Sequence, residues 1–85
     1  MGKDSAGNPV KPPKPAYKTA EQVFALRKKN GLNQTAFWSI IGVTQSGGSR
    51  YEAGRTMPKT VQMLLQLAYG TPKESDSLLS AIRKT

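Results

Sequence analysis

GLNQTAFWSIIGVTQSGGSRYEAGRTMP, residues 31–58, is the stretch that decides the fold of this chain. It predicts two short helices, at about residues 34–41 and 45–53, from helical spacing of apolar residues in the first and from the capping residues that flank the second. A polar N-cap precedes each helix and a glycine follows it: Asn33 and Gly42 for the first, Thr44 and Gly54 for the second. Only a short connection separates the two helices, which is the helix-turn-helix arrangement.

Further helices are predicted on both sides of this stretch. Thr19 and Gln22 form a capping-box pattern that opens helix one, at about residues 20–30. An apolar helix four follows within residues 58–70, and Thr71 is placed to cap helix five. The chain shows no strand signal and no internal repeat. The sequence therefore predicts an all-α domain of five helices.

Residues 1–18 differ in composition from the rest of the chain. They hold four of the six prolines, four lysines and one aspartate, and no run of apolar residues. Such a segment cannot bury enough surface to offset its chain entropy, so we expect a disordered, basic, proline-rich arm. Residues 19–85 carry nearly all the large aliphatic side chains and are expected to form the folded domain.

The chain of 85 residues carries a formal net charge of +8. A small protein this basic favours a polyanionic partner, and nucleic acid is the commonest one. The alternative is a basic surface that only keeps the protein in solution.

The residue types that are missing narrow the function further. Without cysteine or histidine, the chain has no disulfides, no usual zinc site and no cysteine or histidine catalysis, so we expect neither an enzyme nor a cofactor. No apolar stretch approaches the roughly 20 residues that span a bilayer, and the first residues lack the apolar centre of a signal peptide. The protein is therefore expected to be cytoplasmic, with no membrane partner.

Three motifs at their combined spacing resemble the phage-repressor-like helix-turn-helix family of Cro, lambda-repressor and xenobiotic-response-element proteins. The motifs are Gly31-Leu32-Asn33-Gln34, Gly42-Val43-Thr44, and Tyr51-Glu52-Ala53-Gly54-Arg55 with Pro58. The similarity covers about residues 20–70. It implies a lambda-repressor-like domain of five helices, of bacterial or phage origin, whose third helix enters the major groove of double-stranded DNA.

Carried over position by position, the resemblance and the chemistry of the side chains imply a set of DNA contacts. Base contacts fall on three residues of helix three: Gln45, Ser46 and Arg50. Glutamine pairs with adenine and arginine with guanine in the major groove, which supports this assignment. Contacts with the DNA backbone are expected at five further positions: Gln34, Thr44, Gly47, Arg55 and Lys59. Two alternatives stay open, namely Gln34 as an ordinary early helix residue and Gly47 as part of a frayed turn.

Two positions depart from the family pattern. Trp38 stands where the family usually has a small residue, and Gly48 where it usually has a buried aliphatic one. Since the two positions face each other in the family, we expect the indole to fill the vacated space, a volume-conserving exchange. An exposed Trp38 that anchors a partner is the alternative. Tyr51 is expected in the core, with stacking on a base as the alternative. Glu52 is expected to pair with a Lys or Arg or to accept hydrogen bonds near a helix end, and the basic run 27–29 is a solvated helix end or a DNA contact.

These features predict a sequence-specific DNA-binding transcriptional regulator that reads the major groove with helix three. One such domain offers few base contacts, so we expect a homodimer on two half-sites, with the basic arm as a further candidate for DNA contact. Helix five is a candidate dimer contact, or packs on helix four, through one apolar stripe: Leu78, Leu79 and Ile82. Two alternatives are an antitoxin that binds a toxin and autoregulates its operon, and a protein-interaction adaptor without DNA binding.

Overall fold

The computed structural model describes residues 14–84, which form five α-helices. They are α1 (Ala20–Lys29), α2 (Gln34–Ser39), α3 (Gln45–Glu52), α4 (Lys59–Tyr69) and α5 (Pro72–Arg83). Within residues 14–84 there is no strand, and none of the helices has the length and apolar character needed to cross a membrane. The prediction of an all-α domain of five helices is confirmed. Residues 1–13, the larger part of the predicted arm, lie outside the described residues.

Local hydrogen bonds begin and end these helices where the sequence predicts. All four predicted N-cap side chains accept a hydrogen bond from the backbone N–H three residues on: Thr19, Asn33, Thr44 and Thr71. At the end of α3, Gly54 has φ +116°, a left-handed conformation that favours glycine. The helix ends at Ser39 and Glu52 fall one or two residues before the predicted ones, within the usual uncertainty of helix ends.

The core is built from α1, α2 and α4 together with the loop before α4. Its buried members are Val23, Leu26, Phe37, Trp38, Met57 and Leu65. Phe37 of α2 stacks on Tyr69 of α4 with ring centroids 4.2 Å apart. The Tyr69 hydroxyl also donates a hydrogen bond of 2.5 Å to the Phe37 carbonyl oxygen. These contacts hold α2 against α4 and so position the turn that leads into α3.

α5 packs against α4, and its apolar stripe is divided between interior and surface. Leu78 is 2% exposed and is therefore buried within this chain. Leu79, the next residue, is 41% exposed. Packing within the chain thus accounts for Leu78 and leaves Leu79 on the surface.

The last residues of the predicted arm contact the helices. The N–H of Ala16 donates to Oε1 of Gln66 over 2.7 Å. The hydroxyl of Tyr17 donates to Oε1 of Glu74, also over 2.7 Å. The prediction of a disordered arm is therefore wrong for residues 14–18. Their partners on α4 and α5 lie 50 and 57 residues further along the chain, a separation that composition does not reveal.

Candidate nucleic-acid interface

α3 presents an exposed polar surface. Gln45, Ser46 and Arg50 are all exposed. Ser46 and Arg50 are four residues apart and share one face of the helix, and Gln45 lies in the same first turn as Ser46. Among residues 14–84, no side chain forms an ion pair or hydrogen bond with the Arg50 guanidinium. The three predicted base-contact side chains are accessible together, and their contact with bases stays a prediction.

The inner side of α3 is shaped around Trp38. Trp38 is fully buried, and Gly48 of α3 is buried against it. A Cβ built at Gly48 would overlap Cγ and Cδ1 of the indole. The expectation that Trp38 fills this space is confirmed, and the alternative of an exposed Trp38 is wrong. A glycine that costs about 0.8–1 kcal/mol of helix propensity relative to alanine is tolerated here because it makes room for the indole.

Glu52, in the last turn of α3, is the centre of a buried hydrogen-bond network. Its Oε2 accepts hydrogen bonds from Arg27 Nε at 2.9 Å and from Trp38 Nε1 at 2.8 Å. Its Oε1 accepts from Arg27 Nη2 at 3.0 Å and from Gln34 Nε2 at 3.3 Å. The side chains of Arg27 and Glu52 are only 11% and 5% exposed. This Glu52 network therefore joins α1, α2 and α3 at one point that is shielded from water.

The Glu52 network also sets the charge state of its carboxylate. Burial by itself raises the pKa of Glu52, because desolvation disfavours the ionised form. The hydrogen bonds from Arg27, Trp38 and Gln34, with the charge of Arg27, outweigh burial and hold the pKa of Glu52 below its ordinary value. Glu52 is therefore an ionised, paired carboxylate at neutral pH. The expectation that it pairs with a basic side chain is confirmed.

Gln34 connects the Glu52 network to the surface of α3. While its Nε2 faces Glu52, its Oε1 accepts a hydrogen bond of 2.9 Å from Nε2 of Gln45. Gln34 is half-buried and Gln45 is exposed, so the first orients the second from the protein side. Each side-chain NH₂ group carries two N–H bonds. Gln34 and Gln45 therefore each keep one N–H for a partner outside the chain.

The other residues predicted at the DNA backbone lie near the two ends of α3. The Thr44 hydroxyl oxygen caps the helix, 3.1 Å from the Gly47 nitrogen, and also shares a hydrogen bond of 3.4 Å with the Ser46 hydroxyl. A Cβ at Gly47 would lie 3.2 Å from that hydroxyl oxygen, so glycine also protects the cap. Arg55 follows α3 and Lys59 begins α4, and both are exposed. Contact of these four residues with phosphates stays a prediction.

Sequence reasoning missed the inward position of Arg27. Its Nη1 donates a hydrogen bond of 3.0 Å to the Leu32 carbonyl oxygen, in addition to its two bonds with Glu52. Of the basic run, only Lys28 and Lys29 are exposed. The sequence does show that Glu52 is an isolated carboxylate in the middle of a basic domain. This indicates a cationic partner for Glu52 but does not identify which Lys or Arg it is. Tyr51, in contrast, packs against the core as predicted.

The sequence of this chain matches a known family of helix-turn-helix domains. A family model described as an RsaL-like HTH (helix-turn-helix) domain matches residues 24–68. The match covers more than half of the chain and includes α2, α3 and the whole Glu52 network. No curated protein and no solved structure matches the chain. Because helix-turn-helix domains place their second helix in the DNA major groove, the match supports DNA as the partner. The chain belongs to the family of RsaL-like helix-turn-helix domains.

Proposed function

We propose that this protein is a sequence-specific DNA-binding transcriptional regulator that inserts α3 into the major groove. The observation that carries the proposal is the two-sided character of α3. Its inner side is packed on the buried Trp38, while Gln45, Ser46 and Arg50 are exposed on the outside. Polar side chains held on a firmly packed helix suit the reading of base edges, which requires fixed geometry.

The proposed roles follow from the chemistry of each side chain. Gln45 is suited to the donor and acceptor of adenine, and Arg50 to the two acceptors of guanine, while Ser46 pairs with several bases. The remaining exposed donors and cations orient α3 on the phosphates. Those proposed backbone contacts are Gln34, Thr44, Gly47, Arg55 and Lys59.

We also propose the finer assignment to phage-repressor-like domains, in a cytoplasmic protein of bacterial or phage origin. Its support is that the motif residues have distinct structural tasks. Asn33 and Thr44 cap α2 and α3, and Gly54 ends α3 in the left-handed conformation. Glu52 ties the recognition helix to Arg27 on α1.

A homodimer on two half-sites is part of the proposal, because a single α3 offers few base contacts. Three exposed leucines provide apolar surface for a second copy: Leu64 and Leu67 on α4 and Leu79 on α5, with exposures of 43%, 36% and 41%. The antitoxin alternative puts a toxin on this surface. The adaptor alternative puts another protein there and dispenses with DNA.

Selection of bound sequences from a randomised duplex pool, repeated at several salt concentrations, tests this function. We expect one enriched motif with two half-sites, and an affinity whose logarithm falls linearly with the logarithm of salt concentration. The matched control is Gln45→Ala/Ser46→Ala, which leaves the net charge unchanged. It should keep the salt-dependent affinity and lose the preference at the base pairs that Gln45 and Ser46 contact, while the preference at the Arg50 base pair remains. Binding that tracks only salt, with no motif enriched by the wild type, contradicts the proposal.

A further inference from the structure

We infer that Glu52, a buried residue with no access to DNA, determines which atoms of Gln45 face the bases, by orienting Gln34. This inference rests on the proposed function, since it assigns a positioning residue to the base readout of Gln45. The path is the Glu52–Gln34–Gln45 relay, defined by the hydrogen bonds Gln34 Nε2 to Glu52 Oε1 at 3.3 Å and Gln45 Nε2 to Gln34 Oε1 at 2.9 Å.

The relay begins with the chemistry of a carboxylate. An ionised carboxylate only accepts hydrogen bonds, whereas a side-chain amide has a donor end and an acceptor end that can exchange places. Glu52 already accepts from Arg27 and Trp38, which hold the carboxylate in place. Gln34 must therefore turn its NH₂ group toward Glu52, and its oxygen is then the atom left for its other neighbour.

The orientation of Gln34 passes to Gln45. Because the Gln34 oxygen can only accept, Gln45 has to approach it with its NH₂ group. The Oε1 atom of Gln45 accepts no hydrogen bond from residues 14–84, and this oxygen stands beside the remaining N–H of the same amide. Gln45 thus offers the outside one acceptor and one donor, in an order that the buried carboxylate dictates.

This order discriminates between the two purines. Adenine presents a donor at N6 and an acceptor at N7 in the major groove, which match the oxygen and the N–H of Gln45. Guanine presents acceptors at both O6 and N7, so the Gln45 oxygen would meet another acceptor. The relay therefore makes Glu52 a determinant of adenine preference at the base pair that Gln45 contacts.

Glu52→Gln reverses the relay with almost no change in shape. The oxygen of the new amide is needed by Trp38 Nε1 and Arg27 Nε, so its NH₂ group lies toward Gln34, and Arg27 Nη2 loses the acceptor that it has at 3.0 Å in the wild type. Gln34 then turns its oxygen inward and its NH₂ group toward Gln45. The oxygen of Gln45 becomes occupied, and only N–H groups face the DNA, an arrangement that suits guanine.

The experiment measures adenine-over-guanine preference at the one base pair whose preference disappears in Gln45→Ala. We expect Glu52→Gln to lower this ratio by about tenfold or to reverse it, the size expected for one bidentate contact. Gln34→Met, which removes the amide but leaves the Arg27–Glu52 pair, should lower the same ratio even if Glu52→Gln does not fold. The proposed phosphate contact of Gln34, which this variant also loses, affects all sequences equally and cancels in the ratio.

Tyr69→Phe is the control for destabilisation alone. It removes a hydrogen bond between α4 and α2 that involves none of the three relay residues, and should leave the purine ratio unchanged. If the wild type prefers adenine and Gln34→Met keeps this preference, the relay is overturned and the proposed function still stands. A wild type with no preference at any base pair overturns both.

Discussion

The indole of Trp38 occupies the place that a side chain at position 48 would take, and Gly48 is the residue that permits it. Both residues are buried, and the Cβ of any larger residue at position 48 would overlap the ring atoms Cγ and Cδ1. The same indole donates its N–H to Glu52 over 2.8 Å. One contact between α2 and α3 therefore sets both the packing of α3 and the position of the Glu52 carboxylate.

Gly48→Ala is expected to destabilise the domain even though alanine is the better helix former. Overpacking a filled core typically costs about 1–3 kcal/mol, which exceeds the gain of about 0.8–1 kcal/mol in helix propensity. The free energy of unfolding, from urea denaturation followed by circular dichroism, measures the difference. Gly47→Ala is the matched control, because its Cβ would make a close contact of 3.2 Å with Thr44 Oγ1 instead of the overlap with ring atoms at position 48, so its effect should be smaller.

A double-mutant cycle then assigns the cost to the indole. In a Trp38→Leu background the penalty of Gly48→Ala should shrink, since the overlapping ring atoms are gone. An equal penalty in both backgrounds, or a more stable Gly48→Ala single variant, would show that the Trp38 indole does not limit position 48.

The stability of the protein should fall in acid through Glu52. Its pKa in the folded state is below the ordinary value of 4.5, so its contribution is fully present above that pH and is lost as pH falls through the folded-state pKa. Urea denaturation at a series of pH values below neutral measures this decline. Glu52→Gln should be less stable at pH 7 and show a shallower decline. The slope that remains is assigned to Glu74, whose pKa is lowered by the hydrogen bond from Tyr17.

The stability of the protein should also fall in alkali, as Tyr17 ionises. Its hydrogen bond to Glu74 raises the pKa of Tyr17 from 10.0 to about 12. A raised pKa means that the contact stabilises the fold fully below pH 10 and is lost as pH rises toward 12. Ultraviolet titration of tyrosinate, with unfolding measured in parallel, should detect a tyrosine that ionises near pH 12 and that disappears in Tyr17→Phe. Tyr69→Phe, which removes the other tyrosine with a raised pKa, should retain it.

Removing Arg50 and removing Arg55 should affect DNA binding in different ways. Arg50→Ala is expected to relax the preference at a single base pair, at a cost of roughly 1–3 kcal/mol for the preferred sequence. Arg55→Ala is expected to weaken all sequences about equally and to reduce the slope of log affinity against log salt by about 0.9. Fluorescence anisotropy on duplexes that differ at one base pair separates the two. Identical profiles for the two variants would contradict the assignment of Arg50 to a base.

Much of the candidate site is predictable from the sequence because it depends on interactions between residues that are close together in the chain. Thr44 and Gly54 frame α3 through hydrogen bonds that reach only a few residues, so their identities suffice to place the helix. The exposed side chains Gln45 and Arg50 follow from that helix and its spacing. The exchange between Trp38 and Gly48 is also predictable, because the resemblance to the phage-repressor-like family implies that the two positions face each other, and a volume gained at one then requires a volume lost at the other.

The sequence by itself thus determined five helices, their caps and the chemistry of the outer face of α3, all of which depend on residues close together in the chain. Only the tertiary structure decided which groups meet across the fold. Arg27 rather than Lys28 or Lys29 pairs with Glu52, 25 residues away, and Tyr17 reaches Glu74 across 57 residues. The physical reason is that such pairings depend on how the helices pack around Trp38 and Phe37, and that packing is a property of the whole core.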